Sequence, residues 1–223
     1  GFELVGPRFH EIQKSALENY AEKKILIYCW RGGMRSQILS WLLQMVSFEV
    51  YRLEGGYKVY RARTFTEVRE KYRLLILAGK TGTGKTQLLN SLSEEGEQVI
   101  DLEDLANHRG SSFGGIDQPA QPSVEQFENL LGECLMPLDK NKHIWVENES
   151  RRIGKVILPD GFYHQMLKSP LVSIEKTRKE RIDLIKKDYG SLDKDELIKA
   201  VFRLQKKLGG LRTKQIIELI KAN

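Results

Sequence analysis

A glycine-rich loop between a strand and a helix constrains the fold of this chain more than any other feature. Residues 79–86 read Gly-Lys-Thr-Gly-Thr-Gly-Lys-Thr, which satisfies the pattern G-x-x-x-x-G-K-S/T. The apolar residues 74–78 before the loop predict a buried strand, and residues 87–93 after it predict a helix. This order is typical of a phosphate-binding loop in an α/β domain and disfavours a chance glycine turn.

The residue types of the loop explain how it would hold phosphate. Glycines let the backbone amides turn toward phosphate oxygens, and the amino terminus of the following helix adds a favourable dipole. Lys85 would supply a mobile cation, and Thr86 would hold Mg²⁺ or a phosphate oxygen. The predicted phosphate-binding residues are Gly79, Thr81, Gly82, Thr83, Gly84, Lys85 and Thr86.

An acidic residue at the end of a neighbouring strand would complete such a site as a Walker B partner. Glu147 and Glu149 follow the apolar run 144–146, and Asp101 follows the apolar residues 99–100. Carboxylates at strand ends also cap helices, so the sequence does not choose among these three residues. It predicts no dedicated set of metal ligands.

A second loop places a thiol between a strand and a helix. Residues 24–28 predict a short strand that ends at Cys29, and residues 36–46 carry apolar side chains at helical spacing. Arg31, Arg35 and the amides at the helix start favour the thiolate and would also bind an oxyanion. Cys29 is therefore the predicted catalytic nucleophile. The predicted anion-binding residues are Arg31, Gly32, Gly33, Arg35 and Ser36.

The cysteine loop admits two reaction classes. One is a phosphatase with a C-x5-R cradle, and the other is a transferase that carries sulfur or selenium as a persulfide-like adduct. A phosphatase has no need of a fused phosphate-binding loop. The presence of residues 79–86 in the same chain therefore favours a transferase. Cys134 lies in an apolar stretch without arginines or glycines and is typical of a buried structural thiol.

Composition bounds the remaining choices. With 223 residues, 40% hydrophobic and 30% charged, we expect two folded globular domains with reduced cysteines. No run of about 18 apolar residues and no secretory signal pattern is present, so we expect no membrane partner and a cytoplasmic location. The net charge is +6, and Lys and Arg crowd residues 176–187 and 203–214. These runs indicate either a polyanionic partner or solvated helix faces.

The order of predicted elements gives the fold class. Residues 48–53 predict a second strand after the cysteine loop, and hence a parallel β-α-β unit. Further strands are predicted at 99–102 and 144–146 and a helix at 124–131. From about Leu171 the pattern is charged and helical, with a break at Gly209-Gly210.

Together these motifs resemble the tRNA 2-selenouridine synthase family, in which a rhodanese-like domain precedes a P-loop domain. The resemblance extends from about residue 24 to the chain end, and its combination of motifs is more specific than either loop alone. It rests on residues 29–36, 53–58, 79–86, 101–114, 126–129 and 147–154. It implies an α/β fold with a partial rhodanese-like parallel sheet domain (1–70), a P-loop NTPase-like α/β domain (71–170) and a basic helical C-terminal region (171–223).

The resemblance implies a reaction. Members of this family replace the 2-thio sulfur of a wobble uridine in certain tRNAs with selenium from selenophosphate. A geranylated intermediate, formed from geranyl diphosphate, turns the sulfur into a leaving group. Cys29 would take part in selenium delivery, and its loop would hold the selenophosphate anion. The implied partners are tRNA and the enzyme that supplies selenophosphate; the oligomeric state stays open.

Other segments acquire roles through the same resemblance. The phosphate-binding loop would hold a diphosphate that need not belong to a nucleotide. A second phosphate or RNA contact is predicted at His108, Arg109, Ser111, Ser112, Glu149, Arg151 and Arg152, although an ordinary polar loop would read similarly. Predicted RNA-binding residues in the basic helices are Lys186, Lys187, Lys206 and Lys207.

Two alternatives to the selenotransferase remain. One is a P-loop NTPase or kinase with a regulatory rhodanese-like module, and the other is a tRNA-binding module with an inert Cys29. Members of the family begin before Gly1 and continue past Asn223, so the resemblance also implies a truncated chain whose first domain is incomplete on its N-terminal side.

Overall fold

The computed structural model of the protein describes residues 8–190 and 192–222. The chain divides between Arg63 and Thr64 into two compact units. The predicted domain boundaries at residues 70 and 170 stay predictions, and each unit is described here by itself. None of the described helices is long and apolar enough to cross a membrane.

The first unit is a β-α-β arrangement preceded by a helix. Its elements are α1 (Phe9–Asn19), β1 (Lys24–Ile27), α2 (Met34–Gln44), β2 (Glu49–Arg52) and the start of α3 (Gly56–Glu67). Strands β1 and β2 pair in parallel, with Lys24 opposite Glu49 and Ile27 opposite Arg52. A small core of Ala16, Ile27, Leu43 and Phe48 holds α1 and α2 to the strands. Helix α1 was not predicted from the sequence.

The second unit is built on a four-stranded parallel sheet. Its strands are β3 (Arg73–Gly79), β4 (Gln98–Ile100), β5 (His143–Glu147) and β8 (Leu171–Ile174), in the order β4-β5-β3-β8. Helices α4 (Lys85–Glu94), α5 (Leu102–Leu105), α6 (Val124–Leu135) and α7 (Asp160–Lys168) belong to this unit. A short antiparallel hairpin, β6 (Arg152–Ile153) and β7 (Val156–Ile157), precedes α7. The unit is thus α/β with a P-loop at the end of its central strand.

The core of this unit is formed by side chains that alternate between the two faces of its central strands. Leu74 and Ile76 of β3 share one face of the sheet with Ile144 and Val146 of β5. All four are buried in one cluster with apolar side chains of α6 and α7. Leu77 faces the opposite side and is fully buried, as is Leu89 of α4. Because both faces are covered, the strands are nearly continuous apolar runs, as parallel strands usually are.

The charged region that follows is helical from residue 178, not from residue 171. Leu171–Ile174 forms β8, whose Ile174 pairs with Gly79 of β3. The prediction of helix at Leu171 was wrong because an edge strand of four residues carries no periodic signal of its own. Helices α8 (Arg178–Tyr189), α9 (Lys194–Arg203), α10 (Gln205–Leu208) and α11 (Gly210–Ala222) follow. Gly209, at φ +79°, separates the last two, which confirms the predicted break.

Candidate active site

The phosphate-binding loop ends in the amino terminus of α4. Gly82 and Gly84 have φ of +80° and +83°, a region that glycine enters at no steric cost. The Thr83 hydroxyl donates to the Lys80 carbonyl at 2.9 Å and closes the turn. Because the N-cap of α4 is Gly84, no side chain caps the first amides of the helix. Those amides and the helix dipole favour an anion at this position.

Strand register decides which acid accompanies the loop. Leu77 of β3 pairs with Glu147 at the end of β5, so this carboxyl lies beside the start of the loop. Its Oε1 lies 3.5 Å from the Thr86 hydroxyl, and Lys85 Nζ lies 3.5 Å from the Gly79 carbonyl. Of the three acids left open by the sequence, the structure sets Glu147 against Thr86, as a Walker B acid would be.

The two rival acids have different surroundings. Asp101 Oδ1 accepts a hydrogen bond from the Asp104 amide at 2.9 Å and caps α5, the alternative role foreseen for a strand-end carboxylate. Glu149 lies close to Glu103. Glu103 was not among the acidic residues predicted from the sequence. Burial, reinforced by the charges of Glu147 and Glu149, raises the pKa of Glu103 to about 9. Burial, then the charge of Asp101, raises the pKa of Glu147 to about 8. The raised pKa values reduce the negative charge that these carboxyls carry, so they repel a phosphate less than free carboxylates would, and a bound cation would favour the carboxylate form of Glu147.

A cleft of about 680 Å³ opens over the phosphate-binding loop. Its walls come from the loop, from acidic residues that include Asp101, Glu103 and Glu149, from residues 109–111 and from helix α8. Lys85, Arg109 and Lys187 place cationic side chains along it, while Leu184 and Ile185 contribute an apolar wall. The cleft therefore has room and charge for a diphosphate, with an apolar surface beside it.

Tyr189 at the end of α8 holds the loop that follows α5. Its hydroxyl lies 3.3 Å from the Ser111 hydroxyl, and its ring meets Phe113 edge-on with centroids 6.5 Å apart. The Arg109 guanidinium lies 5.8 Å from the centroid of the same ring. These contacts bring Arg109 and Ser111, two predicted phosphate contacts, to the cleft together with Glu149.

The other residues of the predicted second phosphate or RNA contact do not line the cleft. Ser112 is exposed, and Arg152 is an exposed residue of β6. Arg151 forms an ion pair with Asp160 at 2.5 Å. The His108 ring is half-buried, and burial lowers its pKa. Their roles as phosphate or RNA contacts stay predictions.

The predicted RNA-binding lysines are exposed on two helices. Lys186 and Lys187 lie on α8, and Lys206 and Lys207 lie on α10. Lys187 also lines the cleft.

One cation near the loop was not singled out from the sequence. Lys176 follows β8 by two residues, and the pairing of Ile174 with Gly79 brings this stretch to the same sheet edge as the phosphate-binding loop. Its Nζ lies 3.4 Å from the position that a Cβ on Gly84 would occupy. Ligands of open α/β sheets bind at this edge, where the carboxyl ends of the strands lie. Lys176 could have been identified from the sequence only if β8 had been predicted as a strand.

The first unit holds Cys29 in a loop closed by α2 and by the start of α3. Gly32 and Gly56 touch backbone to backbone: a Cβ on Gly32 would lie 2.9 Å from the Gly56 nitrogen. The Tyr57 amide donates to the Cys29 carbonyl at 2.9 Å, and the Lys58 amide donates to the Trp30 carbonyl at 3.0 Å. The segment after β2 therefore sets the conformation of the cysteine loop.

The environment of Cys29 stabilises its thiolate. Its Sγ lies 3.4 Å from the hydroxyl of Ser36, a buried residue in the first turn of α2. The Ser36 hydroxyl, followed by the amides of Ser36, Arg31 and Gly33, lowers the pKa of Cys29 to about 6. Arg31, Gly33 and Arg35 line a cavity of about 400 Å³ around the thiol. Cys134 has the opposite behaviour, since burial raises its pKa.

We expect Cys29 to be alkylated by iodoacetamide with a pH midpoint near 6, because the thiolate is the reactive form. Ser36→Ala should raise that midpoint and slow alkylation severalfold at pH 6. Peptide mass spectrometry of quenched samples measures this rate, and Cys134 in the same sample serves as the internal control. A wild-type midpoint near the ordinary thiol value of about 8.5 would contradict the assignment.

Comparison with known proteins places the chain in a family. Residues 72–223 match the family described as the tRNA 2-selenouridine synthase AAA domain. The tRNA 2-selenouridine synthase of Nitrosomonas europaea is 37% identical over 202 residues, which are 85% of this chain and 51% of that protein. The protein of that name from Sulfurovum sp. is 36% identical over 215 residues, 87% of this chain and 58% of that protein.

A third relative extends the similarity over nearly the whole chain. The tRNA 2-selenouridine synthase of Hydrogenovibrio crunogenus is 33% identical over 240 aligned residues, 98% of this chain and 65% of that protein. The chain thus spans between about half and two thirds of the length of these relatives. No solved structure matches it. With the P-loop cleft and the family match covering the same residues, the chain belongs to the family of the tRNA 2-selenouridine synthase AAA domain.

Proposed function

We propose that this chain acts in the replacement of the 2-thio sulfur of a wobble uridine in tRNA by selenium from selenophosphate, through a geranylated intermediate. The observation that carries the proposal is that one chain holds both a thiol of lowered pKa in a cavity with Arg31 and Arg35 and a cleft over a glycine-rich P-loop. The relatives named tRNA 2-selenouridine synthase support the choice of reaction. Such an enzyme would work in the cytoplasm beside the enzyme that supplies selenophosphate.

We infer that the first unit is the rhodanese-like part of the enzyme. Its parallel β-α-β arrangement with Cys29 between strand and helix supports this view. Selenophosphate is an anion, and the amides of the loop with Arg31 and Arg35 would hold its phosphoryl oxygens. The Cys29 side chain would then lie beside the selenium atom. The lowered pKa of Cys29 means that this side chain is largely a thiolate at neutral pH.

The P-loop cleft would hold geranyl diphosphate. The loop amides and Lys85 would bind the diphosphate, and the apolar side chains of Leu184 and Ile185 offer a surface for the prenyl chain. Sulfur of the 2-thiouridine would attack the first prenyl carbon while the bond from that carbon to the diphosphate oxygen breaks. Diphosphate is a good leaving group when cations neutralise its developing charge.

Mg²⁺ fits two residues at the phosphate-binding loop, Thr86 and the buried Glu147 beside it. Among the described residues no group of three or more His, Cys, Asp or Glu side chains could hold a metal by itself. However, Mg²⁺ usually binds through one or two carboxylates, waters and substrate phosphates. Glu147 Oε2 is buried without a hydrogen-bond partner in the part of the chain that the structure describes, and the Thr86 hydroxyl lies beside the same carboxyl. Thr86 and Glu147 would hold the ion, which would neutralise diphosphate charge.

The basic helices would contact tRNA phosphates. Neutralising Lys186, Lys187, Lys206 and Lys207 together should weaken tRNA binding and flatten its dependence on salt. The variant would make fewer phosphate contacts, so its binding would release fewer counterions. Filter binding at several salt concentrations measures both quantities. An unchanged affinity and salt slope would mean that these lysines are only a solvated face.

Lys176→Ala should weaken binding of inorganic diphosphate about five- to tenfold, because one of the cations near Gly84 is lost. Lys179→Ala is the matched control, since Lys179 is an exposed lysine of α8 outside the cleft lining. Isothermal titration calorimetry gives both affinities. Equal affinities for the two variants would remove Lys176 from the site.

Mass spectrometry of wobble nucleosides tests the reaction in cells. In cells whose own copy of this protein carries Cys29→Ser or Lys85→Ala, selenouridine should be lost, and geranylated 2-thiouridine should persist only in the first variant. If both variants still make selenouridine, the two sites are wrongly assigned.

The closeness of Thr86 to Glu147 also suits a nucleotide, so a P-loop NTPase or kinase is the second candidate. Geranyl diphosphate, ATP and GTP can be compared by calorimetry and by phosphate release with and without tRNA. The diphosphate proposal fails if the protein hydrolyses ATP or GTP in a tRNA-dependent way while geranyl diphosphate does not bind.

A further inference from the structure

An exposed aromatic cluster borders the cavity of Cys29. Tyr28 and Trp30 flank the cysteine in sequence and are 57% and 52% exposed. The Trp30 ring lies 5.6 Å from the ring of Tyr57, and Tyr28 stacks on Tyr57 at 6.3 Å between centroids. Tyr60 adds a fourth ring, 5.7 Å from Tyr57. Single exposed apolar side chains are ordinary, whereas contiguous rings beside a nucleophile point to a ligand.

The backbone holds this cluster in place. The Lys58 amide donates to the Trp30 carbonyl, and the Tyr57 amide donates to the Cys29 carbonyl. The loop that presents the thiol and the helix that presents Tyr57 are therefore one hydrogen-bonded assembly. Trp30 rests against Tyr57 on one side and keeps about half of its surface open to the solvent. A ring fixed in this way binds with little loss of side-chain entropy.

The groups around the cavity are those that recognise an unpaired nucleotide. Proteins bind splayed-out RNA bases by stacking them on aromatic rings or guanidinium planes, and they bind the phosphates with arginine. Trp30 lines the cavity together with Cys29, Arg31 and Arg35. A base stacked on Trp30 would lie next to the thiol and to the loop that carries Arg31 and Arg35.

We propose that Trp30, supported by Tyr57, is the stacking surface for the pyrimidine whose 2-position is exchanged. This inference rests on the proposed function, since it places the base beside the residue that delivers selenium. A prenyl chain would also favour aromatic rings, but the charged groups that line the cavity suit a polar heterocycle better than a hydrocarbon. Binding of a prenyl group is therefore an outcome that the test must separate.

The test compares three variants of the full chain in binding an anticodon stem–loop RNA with 2-thiouridine at the wobble position. Trp30→Ala should weaken binding about tenfold, in the range measured when a stacking ring is removed. Trp30→Phe should retain most of the affinity because it keeps a ring. Trp41→Ala is the matched control, since Trp41 is a tryptophan of α2 in the same unit that is 57% exposed but does not line the cavity.

Two further readings separate this inference from the proposed function. The pH profile of Cys29 alkylation should not change in Trp30→Ala; a shift would mean that Trp30 only shapes the loop and would overturn the proposal. Quenching of tryptophan fluorescence by 2-thiouridine 5′-monophosphate should occur in the wild type and be lost in Trp30→Phe. If that quenching is absent, or if only geranyl diphosphate produces it, stacking of the base on Trp30 is wrong even where selenouridine is still made. If the quenching occurs but the RNA does not bind, stacking stands and the tRNA reaction fails.

Discussion

Gly56→Ala is expected to disrupt the cysteine loop and to abolish rapid alkylation of Cys29. Gly56 has φ +65°, and a Cβ built there would lie 2.1 Å from the Cys29 carbonyl oxygen and 2.3 Å from the Gly32 nitrogen. Both neighbours are backbone atoms, so relief of the clash requires the loop to move away from α3. Left-handed strain of about 1–2 kcal/mol and overpacking of about 1–3 kcal/mol should together lower the free energy of unfolding.

Gly33→Ala is the matched control for the Gly56→Ala substitution. Gly33 lies in the same loop with φ −92°, and no heavy atom lies within 4 Å of its would-be Cβ. Its variant should melt at the wild-type temperature. Circular dichroism melting and iodoacetamide labelling of Cys29 against Cys134 measure the two effects. Wild-type melting and labelling in Gly56→Ala would show that the loop does not depend on this close contact.

Lys85→Ala is expected to reduce the affinity for inorganic diphosphate about 100-fold. Removing one member of a partly buried charge pair typically costs about 2–5 kcal/mol, and about 1.4 kcal/mol corresponds to each tenfold change. Lys85 lines the cleft and is only partly exposed, so water replaces the lost ammonium poorly. The loop amides and Thr86 would remain, which is why some binding should survive.

Lys80→Ala provides the comparison within the same loop. Lys80 is exposed and does not line the cleft, although its carbonyl accepts the bond from Thr83. Its replacement removes the same charge from the protein but should change diphosphate affinity less than threefold, because the charge faces water. Calorimetry with and without Mg²⁺ measures both variants. A similar loss in both would attribute the effect to net charge and not to the phosphate-binding loop.

The two loops could be found from the sequence because their chemistry is local. In each, a strand, a glycine turn and a helix start follow one another within about fifteen residues, so the amides and the key side chain come from one segment. The elements around Cys29 and Lys85 therefore agree with the predicted ones within a few residues at each end. The short strand β4 at Gln98–Ile100 overlaps its predicted range of 99–102, beginning one residue earlier and ending two residues earlier.

Long-range pairing decided the features that were missed. Strand β8 has a mostly exposed pattern and exists because it pairs with β3, and this pairing brings Lys176 to the phosphate-binding loop. The contact between Ser111 and Tyr189 joins residues 78 positions apart. Arg151 forms an ion pair with Asp160, and its role as a phosphate or RNA contact stays a prediction.

The sequence by itself determined the family of the chain and predicted a phosphate-binding loop and an activated cysteine loop, since each of these rests on runs of consecutive residues. Only the tertiary structure decided that Glu147 accompanies Thr86 while Asp101 caps a helix. It also decided that Gly56 supports the Cys29 loop. The physical reason is the same in each case: strand register and backbone packing set which distant groups come within a few ångströms, and no local pattern of residues encodes that distance.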